Sequence, residues 1–311
     1  MNLVPSVRTA NFLSNTNQRI DTDVKRILLQ LDGDSQPSAF DSVVAIDSDV
    51  DELLRFDNVE PVQVTSITHG AMFTRGGDEL KNTAIFVGGS DVSAAEKLFE
   101  RVQKTFFGPV RVSVMLDASG CNTTAAAAVV AAGRHQEPRG ATAVVLGGTG
   151  PVGRRVAEML VNEGAHVRLT SRSIERAQSA CDAIAKKASG GSLSPMAAGD
   201  TSDETLAPVL EDASILIACG AAGVELIGES TVQGLSTLKV AIDLNAVPPA
   251  GIGGVAVTDK ARPIEHGVVY GAVGVGGLKM KAHRAAIKSL FESNDKVLDA
   301  AEIYAIAKSI G

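Results

Sequence analysis

The stretch AVVLGGTGPVGRRVAEML, residues 143–160, constrains the fold of this chain more than any other. Gly148, Thr149, Gly150, Pro151, Val152 and Gly153 fit the spacing GxGxxG. The apolar run Ala143 to Leu146 precedes them, and an apolar-striped helix over 152–162 follows, closed by Gly164. Strand, glycine turn and helix in that order form the phosphate-binding unit of a dinucleotide fold. The first glycine permits a tight turn, Gly150 lets backbone approach a pyrophosphate, and Gly153 lets helix and turn pack closely. Free N–H groups at the helix start favour the anion. In a chain with 31 glycines such a motif could be only a turn, and the flanking strand and helix decide for the nucleotide site.

The next predicted strand, His166 to Thr170, sets the choice of nucleotide. NAD enzymes usually place a carboxylate at its end to bind the adenosine ribose. This strand runs into Ser171, Arg172 and Ser173, with no acid between Glu163 and Glu175. Arg172 suits a 2′-phosphate, and Thr170 and Ser171 add donors, so NADP is the expected cofactor. Ser173 and Arg172 also read as an N-cap beside a solvated arginine.

At 311 residues the chain has room for a second domain. Its 4% aromatics, absent Trp and 45% hydrophobic content predict thin Ala/Val/Gly packing of an α/β kind. The net charge of −7 and the lack of a basic run interleaved with aromatics exclude nucleic acid as an expected partner. No apolar run reaches the roughly 18 residues of a membrane span, and the first twenty residues lack the apolar centre of a signal peptide. Cys121, Cys181 and Cys219 lie far apart without a CxxC pair, which argues against a disulfide framework or metal site. A cytoplasmic protein is expected.

Further strands are predicted at Arg26 to Leu31, Thr83 to Val87, Val110 to Leu116, Thr142 to Leu146, Ser214 to Ala218 and Val240 to Leu244. Ala95, Leu98, Phe99, Val102 and Phe106 share one helical stripe, an Ala/Val-rich helix starts near Asn122, and a capped amphipathic helix over Asp299 to Ile310 docks back. The connection Arg134 to Gly140 divides two series of alternating strands and helices. The expected fold is α/β: a Rossmann-type doubly wound parallel sheet over 137–284 and a second α/β domain over 25–136. A polar arm over 1–24 precedes them, and C-terminal helices over 285–311 return to the first domain.

Three polar clusters lie where strands end, which is where ligands bind in open α/β sheets. They are Asp117 to Thr124, Asn245 to Gly254 and Gly274 to Arg284. Their chemistry is ambiguous. The prolines after Asn245 could make only a rigid turn, and Lys279 to Arg284 a solvated face.

These clusters belong to a longer series: Pro37 to Asp41, Phe73 to Gly77, Thr83 to Gly89, Phe106 to Pro109, the Asp117 turn, GGTGPVG, Asn245 to Gly254 and GGLKMKAHR. In that order the series resembles the bacterial NADP-dependent methylene-tetrahydromethanopterin dehydrogenases of one-carbon metabolism in methylotrophs, over nearly everything from Arg26 onward. The residues before Val24 depart from that pattern. The resemblance implies a pterin-binding domain made by the first half with the C-terminal helix, an NADP domain between, and a homo-oligomer, a trimer. It places Asp41 and Asp117 at the aminopyrimidinone edge of the pterin, with Asn122, Thr123, Thr124 and Lys279 around the substrate and Asn245 beside the cofactor. Asp41 could instead serve the start of its helix.

The implied reaction explains what the sequence lacks. Oxidising a methylene bridge between two pterin nitrogens removes a hydride, and the nitrogen lone pairs stabilise the cation that remains. No proton moves, so no general acid or base is expected, and alignment of the two rings is the protein's task. Three alternatives stay open: the same transfer on methylene-tetrahydrofolate, a non-catalytic NADP-binding sensor, and a quinate/shikimate-type dehydrogenase. The last would need a Lys/Asp acid–base pair, for which the sequence shows no convincing match.

Overall fold

The computed structural model describes residues 24–198 and 203–311, so the expected N-terminal arm, Val24 apart, lies outside the described residues. The first unit opens with β1 (Ile27–Leu31), α1 (Ala39–Ile46), β2 (Glu52–Phe56) and α2 (Pro61–Phe73). It continues through β3 (Thr83–Val87), α3 (Val92–Thr105), β4 (Ser113–Leu116) and α4 (Cys121–Gly133). β1 and β3 are near-continuous apolar runs because they lie inside a parallel sheet with both faces covered. β2 reads ELLRF, exposes Glu52 and Arg55, and is an edge strand. Its charges disguise it in the sequence and also keep that edge from pairing with another chain.

The expected strand from Val110 begins only at Ser113. Gly108 takes a left-handed φ of 57°, and Phe107 and Val110 bond across that turn, so the first residues of the apolar run close a tight bend. In α3 the predicted stripe holds: Ala95, Leu98, Phe99 and Val102 are buried, and the Asp91 carboxylate caps the helix by accepting from the Ala94 amide at 3.0 Å.

The second unit contains β5 (Thr142–Leu146), α5 (Pro151–Asn162), β6 (His166–Ser171), α6 (Ile174–Ala185), β7 (Ser192–Ala197) and α7 (Asp203–Leu210). Then come β8 (Ile215–Ala218), α8 (Glu229–Gln233), β9 (Val240–Asp243), β10 (Arg262–Pro263) and β11 (Val268–Tyr270). The long helix α9 (Ala272–Ser289) leaves β11, and β12 (Val297–Leu298) and α10 (Ala300–Ile310) finish the chain.

Two sheets result. One runs β12-β4-β3-β1-β2, all parallel, so the last strand returns to the first unit. The other runs β10-β11-β9-β8-β5-β6-β7 and is parallel except at β10. Each reverses its winding once among the described parallel strands, between β1 and β3 in the first and between β5 and β8 in the second. Such reversal points leave a crevice at the carboxyl ends of the strands.

Helix α4 explains the composition. Its sequence CNTTAAAAVVAAG is buried nearly all round, and α5, α9 and α10 pack against it. Alanines let those backbones come close, and a larger side chain at the fully buried Ala127 would cost roughly 1–3 kcal/mol by overpacking. Because α9 starts at the end of β11 yet packs on α4 and α1, it carries its side chains from the second unit to the first. Arg284 and Lys288 fasten it there through Asp47 and Asp49 at 3.0 and 2.8 Å.

Candidate functional site

A cavity of about 490 Å³ sits at the reversal point of the second sheet. Gly147 enters the turn with φ 62°, and a Cβ there would stand 2.7 Å from the Gly220 Cα. The left-handed turn therefore belongs to Gly147, one residue before the GxGxxG spacing. Gly150 is the extended N-cap of α5, Pro151 is its first residue, and a Cβ on Gly150 would meet nothing within 4 Å. A Cβ on Gly153 would meet the Gly148 Cα at 2.6 Å. Open space over Gly150 beside unpaired helix amides fits a pyrophosphate; contact beneath Gly153 fits a packing role. Thr149 lines the cavity, and Val152 packs beneath it between the apolar cores of both units.

Ser171 and Arg172 line the same cavity, as the end of the second strand of this unit should. Thr170 lines it too, but its hydroxyl accepts from the Gly147 amide at 3.0 Å and so holds the turn. Ser173 is the N-cap of α6, accepting from the Arg176 amide and donating to Glu175. Sequence reasoning missed Arg176, a second guanidinium in the lining. The signal was present: a cation in the first turn of a helix opposes the macrodipole and needs an anion to justify it. Glu225, from the β8–α8 connection, is the one carboxylate among the described residues of this lining. Cys219 lies in it as a neutral thiol, pushed up to about 12 by burial and then by the Asp243 charge. Asn245 is not in it. Its side chain donates to the Pro249 carbonyl at 3.0 Å and accepts from the Val247 amide at 3.0 Å, which shapes the loop after β9.

A second cavity, about 300 Å³, sits at the reversal point of the first sheet. Its walls come from four separated segments: Asp34, Ser38, Phe40 and Asp41 between β1 and the first turn of α1, Gly89 and Ser90 after β3, Ser119 and Gly120 after β4, and Lys279 on α9. Asp32, fully buried at the end of β1, holds the floor by accepting from the Asp34 and Ser38 amides at 2.9 and 3.1 Å. Asp34 takes both the amide and the hydroxyl of Ser90 at 2.9 Å, tying the two loops together. The helix start at α1 is capped by Ser38, whose hydroxyl accepts from the Asp41 amide at 3.2 Å, so the Asp41 carboxylate is not the cap.

Burial pushes the Asp41 carboxyl up to about 7, and the charges of Asp117 and Asp32 push the same way against Lys279 and the Ser38 hydroxyl. Lys279 stands 5.3 Å from the centroid of the Phe40 ring, and a Cβ on Gly120 would come within 2.5 Å of its ammonium. Among the described residues no carboxylate forms an ion pair with Lys279. A lysine and a carboxylate thus share one cavity, a pairing that sequence separation conceals. His283, one turn on from Lys279, is fully buried against the Phe86 ring at 5.7 Å, and its nitrogens have no hydrogen-bond partner. Burial holds it below the usual imidazole range, against the pull of the Asp117 charge.

The turn Asp117 to Thr124 divides by role. Ser119, with a left-handed φ of 52°, and Gly120 reach the cavity. Asp117, Asn122 and Thr123 are fully buried and satisfy one another: Asp117 accepts from the amides of Asn122 and Thr123 at 2.9 and 3.1 Å and from the Thr123 hydroxyl at 2.6 Å. The Thr124 hydroxyl donates to the Gly120 carbonyl at 2.6 Å. These four side chains build the turn and do not line the cavity. Within GGLKMKAHR, Lys281 is exposed and Arg284 pairs with Asp47, so one segment contains both a solvated face and a site residue.

Comparison with known proteins agrees with this architecture. Residues 39–119 match the model of the N-terminal region of methylene-tetrahydromethanopterin dehydrogenase. The bifunctional protein MdtA of Methylorubrum extorquens is 45% identical over 92% of this chain and 99% of its own length. The NAD(P)-dependent methylenetetrahydromethanopterin dehydrogenase of the same organism is 30% identical over 88% of this chain and 94% of its own. Among solved structures, 5-ketofructose reductase of Gluconobacter sp. strain CHM43 shares the fold, with a TM-score of 0.50 at 13% identity over 92% of this chain and 99% of that one. With two relatives aligned over nearly their whole lengths, at 45% and 30% identity, this chain belongs to the methylene-tetrahydromethanopterin dehydrogenase family.

Proposed function

We propose that this chain catalyses the reversible NADP-dependent oxidation of methylene-tetrahydromethanopterin to methenyl-tetrahydromethanopterin by direct hydride transfer, in one-carbon metabolism. The observation that carries the reading is the placement of two cavities at two sheet reversal points, one shaped for a dinucleotide and one walled by Asp41, Phe40 and Lys279. NADP supplies the hydride acceptor when bound. Arg172 and Arg176 hold its 2′-phosphate, Gly150 and the start of α5 hold its pyrophosphate, and Thr149 and Ser171 add hydrogen bonds.

The pterin cavity binds by its polar edge. An aminopyrimidinone presents two adjacent donors, which one ionised carboxylate can accept together; of the two carboxylates in the lining, Asp34 spends both oxygens on Ser90, which leaves Asp41 for this task. Asp117, Asn122, Thr123 and Thr124 act through the turn they build, and Asn245 through its loop. The buried charge of Asp32 and Asp117 beneath the site favours the cation that forms as hydride leaves. Lys279 faces the polar edge of the carrier, and no proton transfer is required of it.

The reading places the protein in the cytoplasm, in keeping with three unpaired cysteines. It also makes the chain a homo-oligomer, a trimer, for which the exposed Val43, Ile46 and Leu54 offer apolar surface. Among the described residues no helix is long and apolar enough to cross a membrane. The test is absorbance at the methenyl band when purified protein and NADP are given each methylene carrier in turn. Growth with tetrahydromethanopterin and little with tetrahydrofolate is expected; no growth with either carrier would overturn the assignment.

A further inference from the structure

Arg154 and Arg155 are adjacent in the sequence. The structure separates them: Arg154 is exposed, whereas Arg155 is 8% exposed although it carries a full charge. Its guanidinium crosses between the two units. Nη1 donates to the Pro151 carbonyl of its own helix at 3.2 Å, one residue from Gly150 in the nucleotide cavity. Nη2 pairs with Glu96 on α3 at 3.0 Å, and Nε donates to the Asn122 side-chain oxygen.

Asn122 is the hub on the other side. Its side-chain amide donates to the Leu116 carbonyl at 2.6 Å and to Asp299, the cap of α10, at 3.0 Å. Its backbone amide donates to Asp117, the residue that sets the turn bearing Ser119 and Gly120 into the pterin cavity. One buried cation is therefore bonded to the residue beside the pyrophosphate seat and, through Asn122 and Asp117, to the wall of the carrier seat. The bond to fully buried Asn122 is shielded from water and therefore strong, whereas Glu96 is 51% exposed and adds less; a planar fork with donors in three directions resists sliding of α5 against α4.

We propose that Arg155 is a positioning residue that sets the separation of the two ligand seats and so the distance the hydride travels. This rests on the function proposed above for the two cavities. Reaction rates are steep in that distance, a misplacement of about 1 Å lowering them about 100-fold. Arg155 touches neither cavity, so its effect falls on the transfer step while each seat stays intact.

Two readouts test this, one without ligands. Spin labels at Lys104→Cys on the first unit and Gln178→Cys on the second report the separation by pulsed electron resonance, with the unsubstituted chain as background for its own cysteines. A narrow distance distribution in the parent and a broadened or shifted one in Arg155→Gln are expected. Glu96→Gln, which leaves Arg155 and Asn122 bonded, gives a smaller change and remains informative if Arg155→Gln fails to fold. The second readout is turnover with a carrier deuterated at the bridge. Arg155→Gln should lower turnover at least about tenfold and raise the isotope effect, with NADP dissociation constant and carrier KM within about twofold of the parent. Arg155→Lys should recover part of the rate. An unchanged distance distribution overturns the proposal, and so does a turnover loss matched by equal losses of both affinities with no change in isotope effect. Broadening in a protein whose parent turns over neither carrier supports the tie and instead overturns the substrate assignment.

Discussion

The two cavities occupy equivalent places in two parallel sheets, but they are built from different material. The phosphate turn of the proposed nucleotide seat is made by backbone: Gly147, Gly150 and Gly153 act by what they lack, and one contiguous stretch contains them. The proposed carrier seat is made by side chains that four distant segments bring together, with Lys279 delivered from the far end of the chain by α9. A seat made by backbone depends on steric room and so breaks abruptly. One made by side chains depends on charge and hydrogen bonding, and so responds to pH and to conservative substitution.

The largest effect expected from this contrast is at Gly153. Gly153→Ala drives a Cβ to within 2.6 Å of the Gly148 backbone, so the turn must open. NADP affinity should fall about 100-fold or more together with the melting temperature. Gly150→Ala, which meets open space, should leave the melting temperature near the parent value and weaken NADP about tenfold by occupying the pyrophosphate seat. Calorimetric titration with parallel thermal melts checks both, and equal behaviour of the two variants would refute the division of roles.

Asp41 gives the next effect, on the side-chain seat. Below about pH 7 its carboxyl holds a proton and cannot accept two bonds, so carrier KM should rise as pH falls through 7. Asp41→Asn should raise carrier KM about tenfold at neutral pH, flatten that dependence and leave NADP binding unchanged. Asp32, Asp117 and Lys279 also face this carboxyl, and their removal should shift the midpoint rather than abolish it. Stability carries the same signature. The folded carboxyl titrates near 7 and the unfolded one near 3.8, so the folded state binds the extra proton and this group's contribution to stability falls as pH rises from about 4 to 7. Urea unfolding across that range, with Asp41→Asn as reference, measures it.

A smaller effect is expected at the two arginines, because each compensates partly for the other. Arg172→Ala and Arg176→Ala should each raise the KM for NADP several-fold, and the double variant about 100-fold, with little change for NAD. Equal effects on both nucleotides would remove them from the 2′-phosphate.

The same division explains what the sequence discloses. The alternation of strands and helices and the apolar stripe of α3 follow from periodicity and were legible, as was the nucleotide turn, since local sequence alone makes them. The edge strand β2 was not, because Glu52 and Arg55 interrupt its apolar pattern to suit a watery edge. His283 reads as part of a solvated face and nothing in the spacing marks Arg155, until the packing of α9 and α5 on α4 buries both. Nor could spacing separate Asp41, which lines a cavity, from Asp117, whose carboxylate is consumed by three hydrogen bonds. Both are acids near helix starts, and tertiary burial assigns their tasks. Asp41 and Lys279 were reachable only through the likeness to a family; their common cavity is a property of topology.

That common cavity also frames the most direct test of the mechanism, since a lysine beside a carboxylate is equipped to move a proton as well as to bind. Enzyme, NADP and a carrier carrying deuterium at the methylene bridge are allowed to react in ordinary water, and the reverse reaction is run with unlabelled materials in deuterated water. Direct transfer predicts deuterium in the reduced nicotinamide in the first case, none from solvent in the second, and a Lys279→Ala variant that slows turnover without altering where the label goes. Solvent deuterium in the transferred position, or a rate limited by a Lys279-dependent solvent isotope effect, would contradict hydride transfer without proton movement.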